Sequence, residues 1–375
     1  MTTTETDSRR LRLGTRGSRL ALTQSGQVAE ALMAAGGGSA AAAAGKASEG
    51  SGGLGIDLVT VRTDGDGDRT PLRQLGGVGV FAARLRHALL DGEVDLVVHS
   101  FKDLPTQPVE GLEVICVPAR EDPRDALCAR DGLTLADLPE GARVGTGSPR
   151  RAAQLLAARP DLEVVDLRGN VPTRLARVRG LEVVGVGTDE PLAPSRADAA
   201  GDLDAVVLAL SGLRRLGLEH CASEVLDLET MLPAPAQGAL AVEARAGEDS
   251  AELARAAAVL DDEPTRLAVT AERALMAQLG AGCAAPVGAW AHLRGGSQAP
   301  RVLVLRAVVT SLDGGQEVGC ELSTELPEAS GGPGAPGDTA AVRAAEALGV
   351  RAAEVLLDDG ADQIVDLHAN KPRRD

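Results

Sequence analysis

A chain of 375 residues is long for one hydrophobic core, so two or three domains are expected. Its 44% hydrophobic content is ordinary for a globular protein, yet Phe81, Phe101 and Trp290 are its only aromatic residues, and its net charge is −16. Without stacking platforms or an overall basic surface, a nucleic-acid partner is disfavoured. No run approaches the ~18 apolar residues that span a membrane, and the start Met-Thr-Thr-Thr-Glu-Thr-Asp has no signal-peptide core. Five cysteines (116, 128, 221, 283 and 320), odd in number and with no CxxC pair, argue against a zinc or disulfide framework and for reduced cytoplasmic thiols.

In chain order, Leu11–Arg16 reads as a strand, and Gly17-Ser18 opens an amphipathic helix to about Ala35 with Ser18 as N-cap. Arg16 then stands beside a helix N-terminus, a position that favours anions. Residues 36–55 are an Ala/Gly/Ser-rich insertion without periodicity, and 56–62 return to a strand. The Asp-Gly run at 63–68 invites a calcium reading, but the loop has Arg69 where an EF-hand needs glycine and Leu75 where it needs glutamate. A mobile glycine-rich lid over 63–80 is expected instead, followed by a helix from Phe81 to Leu90. Asp95–Pro105 reads as a buried strand (Leu96, Val97, Val98) stopping in a polar turn that holds Lys102 and Asp103. In open α/β sheets ligands sit beyond the carboxyl ends of such strands.

After a strand at 112–118, the charged, proline-punctuated Glu121–Asp125 marks a domain junction, and a strand follows at 125–130. Ala142–Thr146 is a strand, and Gly147-Ser148-Pro149-Arg150-Arg151 opens a helix to about Ala158 in which Ser148 caps and Pro149 takes the first position. Free N–H groups and two arginines make an anion cradle there. From Arg143 to Arg179 eight arginines face three acids, which within an acidic chain suits a small anionic substrate. Strands at 162–167 and 206–210 empty into Arg168–Arg174 and Ser211–Arg215, with a variable loop at 183–200 between them. Leu232–Gly238 precedes a strand at 239–244. A helix at 263–280, the Gly282-Cys283 loop, strands at 287–293, 301–310 and 317–324, a Gly/Pro-rich loop at 328–337 and a helix near 339–358 complete the chain. The expected fold is α/β: two similar βαβ-type domains with largely parallel sheets, then a small α+β domain. Cys283 is a candidate exposed thiol; the other four cysteines read as small buried hydrophobes.

Taken together, Leu11–Leu22, Thr70–Phe81, His99–Pro105, Glu121–Asp125, Val144–Arg151, Asp166–Arg174, Ser211–Arg215, Leu232–Ala239 and Thr270–Pro286 resemble the porphobilinogen deaminase (hydroxymethylbilane synthase) family, in order and over nearly the whole chain. The resemblance implies two periplasmic-binding-type domains flanking an active cleft, drawn as 1–120 with 237–255 and as 121–236, and a third domain, 256–375. It implies a transferase that joins four porphobilinogen units on a dipyrromethane cofactor bound covalently through Cys283. Asp103 would be catalytic, stabilising the positive charge on a pyrrole nitrogen as ammonia leaves and the azafulvene forms. Lys102, Ser148, Arg150, Arg151, Arg168 and Gln237 would bind the cofactor, and Arg16, Ser18, Phe81, Arg174 and Arg215 the substrate. No metal is implied. A cytoplasmic monomer is expected, binding neither nucleic acid nor membrane and handing its product transiently to the next enzyme. The chain departs from the family at Gln74 and Val78, where lysines are common. A non-catalytic binding protein for an anionic ligand is the competing reading; it would need neither Asp103 nor a covalent adduct.

Overall fold

The computed structural model describes residues 10–37, 53–61, 80–183, 201–247, 250–282, 284–296, 299–327 and 340–368, without the side chains of Val80 and Phe81. The expected lid (63–80, except the backbone of Val80), Gln74, Val78, Cys283 and most of the three insertions lie outside these residues.

The first sheet starts from β1 (Leu11–Thr15), β2 (Ile56–Thr60), β3 (Leu96–Ser100) and β4 (Leu112–Cys116), with helices α1 (Arg19–Ala35) and α2 (Val80–Leu90). Leu13, Leu96 and Val97 have no solvent exposure, because helices cover both faces of the sheet. The chain then crosses into a second sheet of β5 (Asp125–Ala129), β6 (Arg143–Gly145), β7 (Glu163–Val165), β8 (Ala205–Ala209) and β9 (Glu224–Val225), with helices α3 (Pro149–Ala158), α4 (Val171–Leu175) and α5 (Leu210–Arg215). It returns as β10 (Leu240–Arg245), which lies between β3 and β4.

The strand orders are β2-β1-β3-β10-β4 and β7-β6-β8-β5-β9. Each reads second, first, third, crossing strand, fourth, so the two halves share one topology. The crossing strand is antiparallel to both neighbours in each sheet, and only the other pairings are parallel. Four strands of each sheet therefore run one way, as expected of largely parallel sheets, and the reversed crossing strand makes each sheet mixed. A strand entered directly from the other domain needs no helical return over its own sheet, so its direction is free to reverse.

The two crossing segments touch each other. The Glu121 N–H donates to the Gly238 carbonyl at 3.4 Å, and Phe101 N–H to Ala239 O at 3.0 Å. Gly238 has φ of +90°, and a Cβ there would meet the Glu121 carbonyl oxygen at 2.4 Å, so only glycine fits. Two residues earlier Ala236 holds φ of +62°, which a residue with a Cβ adopts only when its surroundings impose it.

Helix α6 (Ala251–Leu260) buries Leu253, Ala256 and Ala257 in the first core beside α1, so the drawn limit at 255 falls inside a helix that belongs wholly to that core. The third unit is the antiparallel meander β11 (Val287–Gly296), β12 (Ala299–Thr310) and β13 (Glu317–Glu325), packed by α7 (Glu263–Gln278), α8 (Ala340–Asp358) and the short α9 (Ala361–Ile364). Among the described residues no helix is long and apolar enough to cross a membrane.

Replacing Gly238 by alanine adds both backbone strain and a clash, and is expected to cost about 3 kcal/mol or more. Gly92→Ala, at φ of +68° with nothing within 4 Å of the new Cβ, should cost only about 1 kcal/mol. Urea unfolding of both variants measures the difference, and equal losses would mean that the crossover contact carries no weight.

Candidate active site

Strand β3 ends in one turn of 3₁₀ helix, Phe101–Asp103. The Phe101 ring is buried with the Arg273 guanidinium 4.4 Å from its centre, and Arg273 also donates to the carbonyls of Phe101, Leu104 and Pro105 at 3.3, 2.7 and 2.8 Å. With Phe101 anchored inward, Asp103 is exposed and Lys102 half-buried. The Lys102 ammonium donates to Gln237 Oε1 at 3.2 Å. Ser100 and Gln24 face each other at 3.3 Å, tying the end of β3 to α1.

Across the cleft, Ser148 is the N-cap of α3 and Pro149 opens the helix, but the Ser148 hydroxyl makes no capping bond; its N–H donates instead to Thr146 Oγ1 at 3.2 Å. Ser18, in contrast, spends its hydroxyl capping α1, accepting from the Ala21 N–H at 3.3 Å. Arg150 and Arg151 are 3% and 6% exposed and share one carboxylate, that of Asp125, which has no exposure. Arg150 Nη2 donates to Oδ2 at 2.7 Å, and Arg151 Nη2 and Nε donate to Oδ1 at 2.7 and 3.1 Å. Further donations run from Arg150 to Leu232 O at 2.6 Å and from Arg151 to Val207 O at 3.1 Å. The fully buried Gln237 completes the cluster, its Nε2 donating to Asp125 Oδ1 at 2.9 Å and to Pro123 O at 2.7 Å.

The electrostatics follow from this packing. Burial alone would raise the Asp125 carboxyl, but Arg150 and Arg151 outweigh it and hold the group far below the usual carboxylate range. Burial lowers Arg150, with Arg151 adding to the effect and Asp125 opposing it. The Lys102 ammonium is pushed down to about 8, mainly by burial; Asp103 and Asp125 resist, while Arg151 and Arg150 reinforce it. Arg174 is lowered to about 10 by burial and by Arg151 and Arg168, against Asp103 and Asp166. These mutual influences place Asp103, from the first sheet, in the same field as the cations of the second.

The arginine run therefore divides. Arg143 pairs with Glu163 at 3.2 Å, Arg159 with Asp161 at 2.7 Å, Arg177 with Asp202, and Arg179 with Asp204 at 3.2 Å. These pair with acids of the second domain near its surface, whereas Arg150, Arg151, Arg168 and Arg174 gather at the cleft. Arg174 donates through Nε to Gly169 O at 2.7 Å. Arg215 donates to the Gly238 carbonyl at 2.7 Å and so touches the crossover; burial lowers its pKa. Arg16 lies half-buried at the end of β1. Of the sequence-derived candidates, only Cys283 and the Phe81 side chain fall outside the described residues.

The individual roles of two buried acids were not apparent in the sequence. Asp125 carried a signal, since a carboxylate opening the apolar run Asp125-Ala-Leu-Cys-Ala needs a cation, and the Arg150-Arg151 doublet supplies two. Glu272, also without exposure, accepts from Arg120 at 2.6 and 3.0 Å, from the Ala236 N–H at 2.5 Å and from the Ala291 N–H at 2.8 Å. It thereby holds the left-handed Ala236 and links α7 to both crossings, since Arg120 also donates to Gln237 O at 2.7 Å. Glu272 sits within an ordinary amphipathic helix pattern, so nothing local marks it.

The sequence matches two family models: the porphobilinogen deaminase dipyromethane cofactor binding domain over residues 11–253 and the porphobilinogen deaminase C-terminal domain over 266–358. It is 52% identical over 366 residues to a porphobilinogen deaminase of Cutibacterium acnes, covering 97% of this chain and 99% of that protein. One from Micrococcus luteus is 50% identical, covering 94% and 93% respectively, and one from Thermobifida fusca is 48% identical, covering 94% and 95%. With both sides of the cleft and the third domain inside these matches, the chain belongs to the porphobilinogen deaminase family.

Proposed function

We propose that the cleft joins four porphobilinogen molecules one at a time on a dipyrromethane primer, releasing one ammonia per unit and then the linear tetrapyrrole hydroxymethylbilane. The observation that carries the reading is one exposed carboxylate, Asp103, set in the field of Lys102 and the buried arginine cluster.

The residues present fit the primer. Each pyrrole unit bears two carboxylates, and the cleft offers Lys102, Arg150, Arg151, Arg168 and Arg174 together with the Ser148 hydroxyl and the first-turn N–H groups of α3. Arg150 Nε is buried without a hydrogen-bond partner among the described residues, a donor that an incoming acceptor would satisfy. Cys283 would hold the primer as a thioether, and Lys102, Ser148, Arg150, Arg151 and Arg168 would hold its carboxylates; Gln237, wholly buried, would act by orienting Lys102. When bound, the primer supplies the nucleophilic pyrrole carbon to which the first unit is joined.

Asp103 stabilises the positive charge that develops on the substrate's pyrrole nitrogen as ammonia departs from the aminomethyl carbon, the electrostatic mode in which a fixed charge needs no reorganisation. Arg16 and Arg174 bind substrate carboxylates, Ser18 and Phe81 are the further substrate contacts that the family resemblance implies, and Arg215 contributes the guanidinium donors left over from its bond to Gly238. The buried free thiols Cys128 and Cys221 favour a cytoplasmic setting, and a monomer with transient handover of its product is the accompanying reading.

Two experiments test these roles. The intact mass of purified protein should exceed the sequence mass by two linked pyrrole units, and peptide mapping should place them on Cys283; Cys283→Ser should have the bare mass and no turnover, with Cys221→Ser close to wild type. A free Cys283 thiol in fully active enzyme would overturn the attachment. Asp103→Asn should retain primer and fold while losing roughly 10²–10³ in kcat. Near-normal turnover would make Asp103 a turn residue only.

A further inference from the structure

We propose that Asp125, which has no access to the cleft, is the positioning residue that joins the Arg150–Arg151 pair to Lys102 and keeps that lysine cationic. The connection runs through Gln237. Its amide nitrogen is committed to Asp125 Oδ1 at 2.9 Å and Pro123 O at 2.7 Å, which turns its oxygen toward the Lys102 ammonium at 3.2 Å. Among the described residues, the groups acting on Lys102 include Asp103 and Asp125, Arg150 and Arg151, and the Gln237 amide. Two guanidinium groups beside an amine favour its neutral form, and a neutral amine gives a carboxylate ligand no charge to bind. Asp103 is the larger counterweight, and Asp125 adds to it from behind while holding both arginines in place.

Lys102 is charged below about 8 and loses its charge above it. Deleting the Asp125 charge should move that titration to lower pH, and deleting an arginine charge should move it to higher pH. The inference rests on the proposed function only for the consequence in turnover; the coupling between the groups stands apart from it.

Lys46, Lys102 and Lys371 are the only lysines, so protein labelled with ¹³C at lysine Cε gives three resonances, and Lys102→Arg identifies the one belonging to Lys102. Titration of the purified full-length protein should show an acid-ward shift of Lys102 in Asp125→Asn and an alkaline shift in Arg151→Gln. Gln237→Met, which leaves Asp125 its two arginines, should also shift Lys102 acid-ward and serves if Asp125→Asn does not fold. A Lys102 titration that stays in place in Asp125→Asn, or in Gln237→Met where Asp125→Asn does not fold, overturns the proposal. The alkaline limb of kcat should move with the resonance. A shifted resonance with an unmoved limb supports the coupling and instead overturns the role of Lys102 as a ligand partner in turnover.

Discussion

Two guanidinium groups and one carboxylate are buried together where the chain enters its second sheet, and the site is arranged around the cost of keeping them there. Desolvating charge is expensive, and a buried ion is tolerated only when paired and hydrogen-bonded. Asp125 spends both oxygens on this task, and Arg150 and Arg151 reach backbone carbonyls of Leu232 and Val207 as well. A rigid, buried cationic cluster results, whose guanidinium planes are fixed by bonds within the protein so that few rotamers remain open to them.

The location of this cluster couples it to the geometry of the domains. Asp125 begins just after the first crossing and Gln237 lies within the second, so any change in how the sheets face each other acts on the same hydrogen bonds. Glu272 fixes the far side of this junction, binding Arg120 from one crossing and Ala236 from the other. The third domain, to which α7 belongs, is thus registered against the cleft by a buried ion pair as well as by apolar packing. Such a latch is strong in one respect only: removing one partner strands the other without compensation.

Charge also divides labour within the second domain. Arg143, Arg159, Arg177 and Arg179 look no different in sequence from Arg150, Arg168 and Arg174, yet the former face acids of their own domain near the surface and contribute little individually. The latter are drawn into a common field in which burial and mutual repulsion lower Arg174, while Asp103 restrains the effect from the opposite wall. A site so rich in positive charge stores repulsion that a polycarboxylate ligand relieves.

Local chemistry written in the sequence determined a good deal. The apolar run before Lys102-Asp103 became β3 and its 3₁₀ turn, and the Ser148-Pro149 start became α3, because capping and hydrophobic patterning act over a few residues. The ordered motifs likewise sufficed to indicate the family. Three things were settled only by the tertiary structure. The reversed direction of β5 and β10 depends on which domain each strand is entered from, and no residue within the strand encodes that. The inward turn of Arg150 and Arg151 depends on Asp125, 25 residues earlier in the chain, arriving at the same point. The role of Glu272 depends on a hydrogen bond to a backbone N–H 36 residues away. Helical and strand periodicity report which face of an element is apolar; which distant charge a buried side chain meets is decided when the elements pack, because only there does the loss of water make the pairing compulsory.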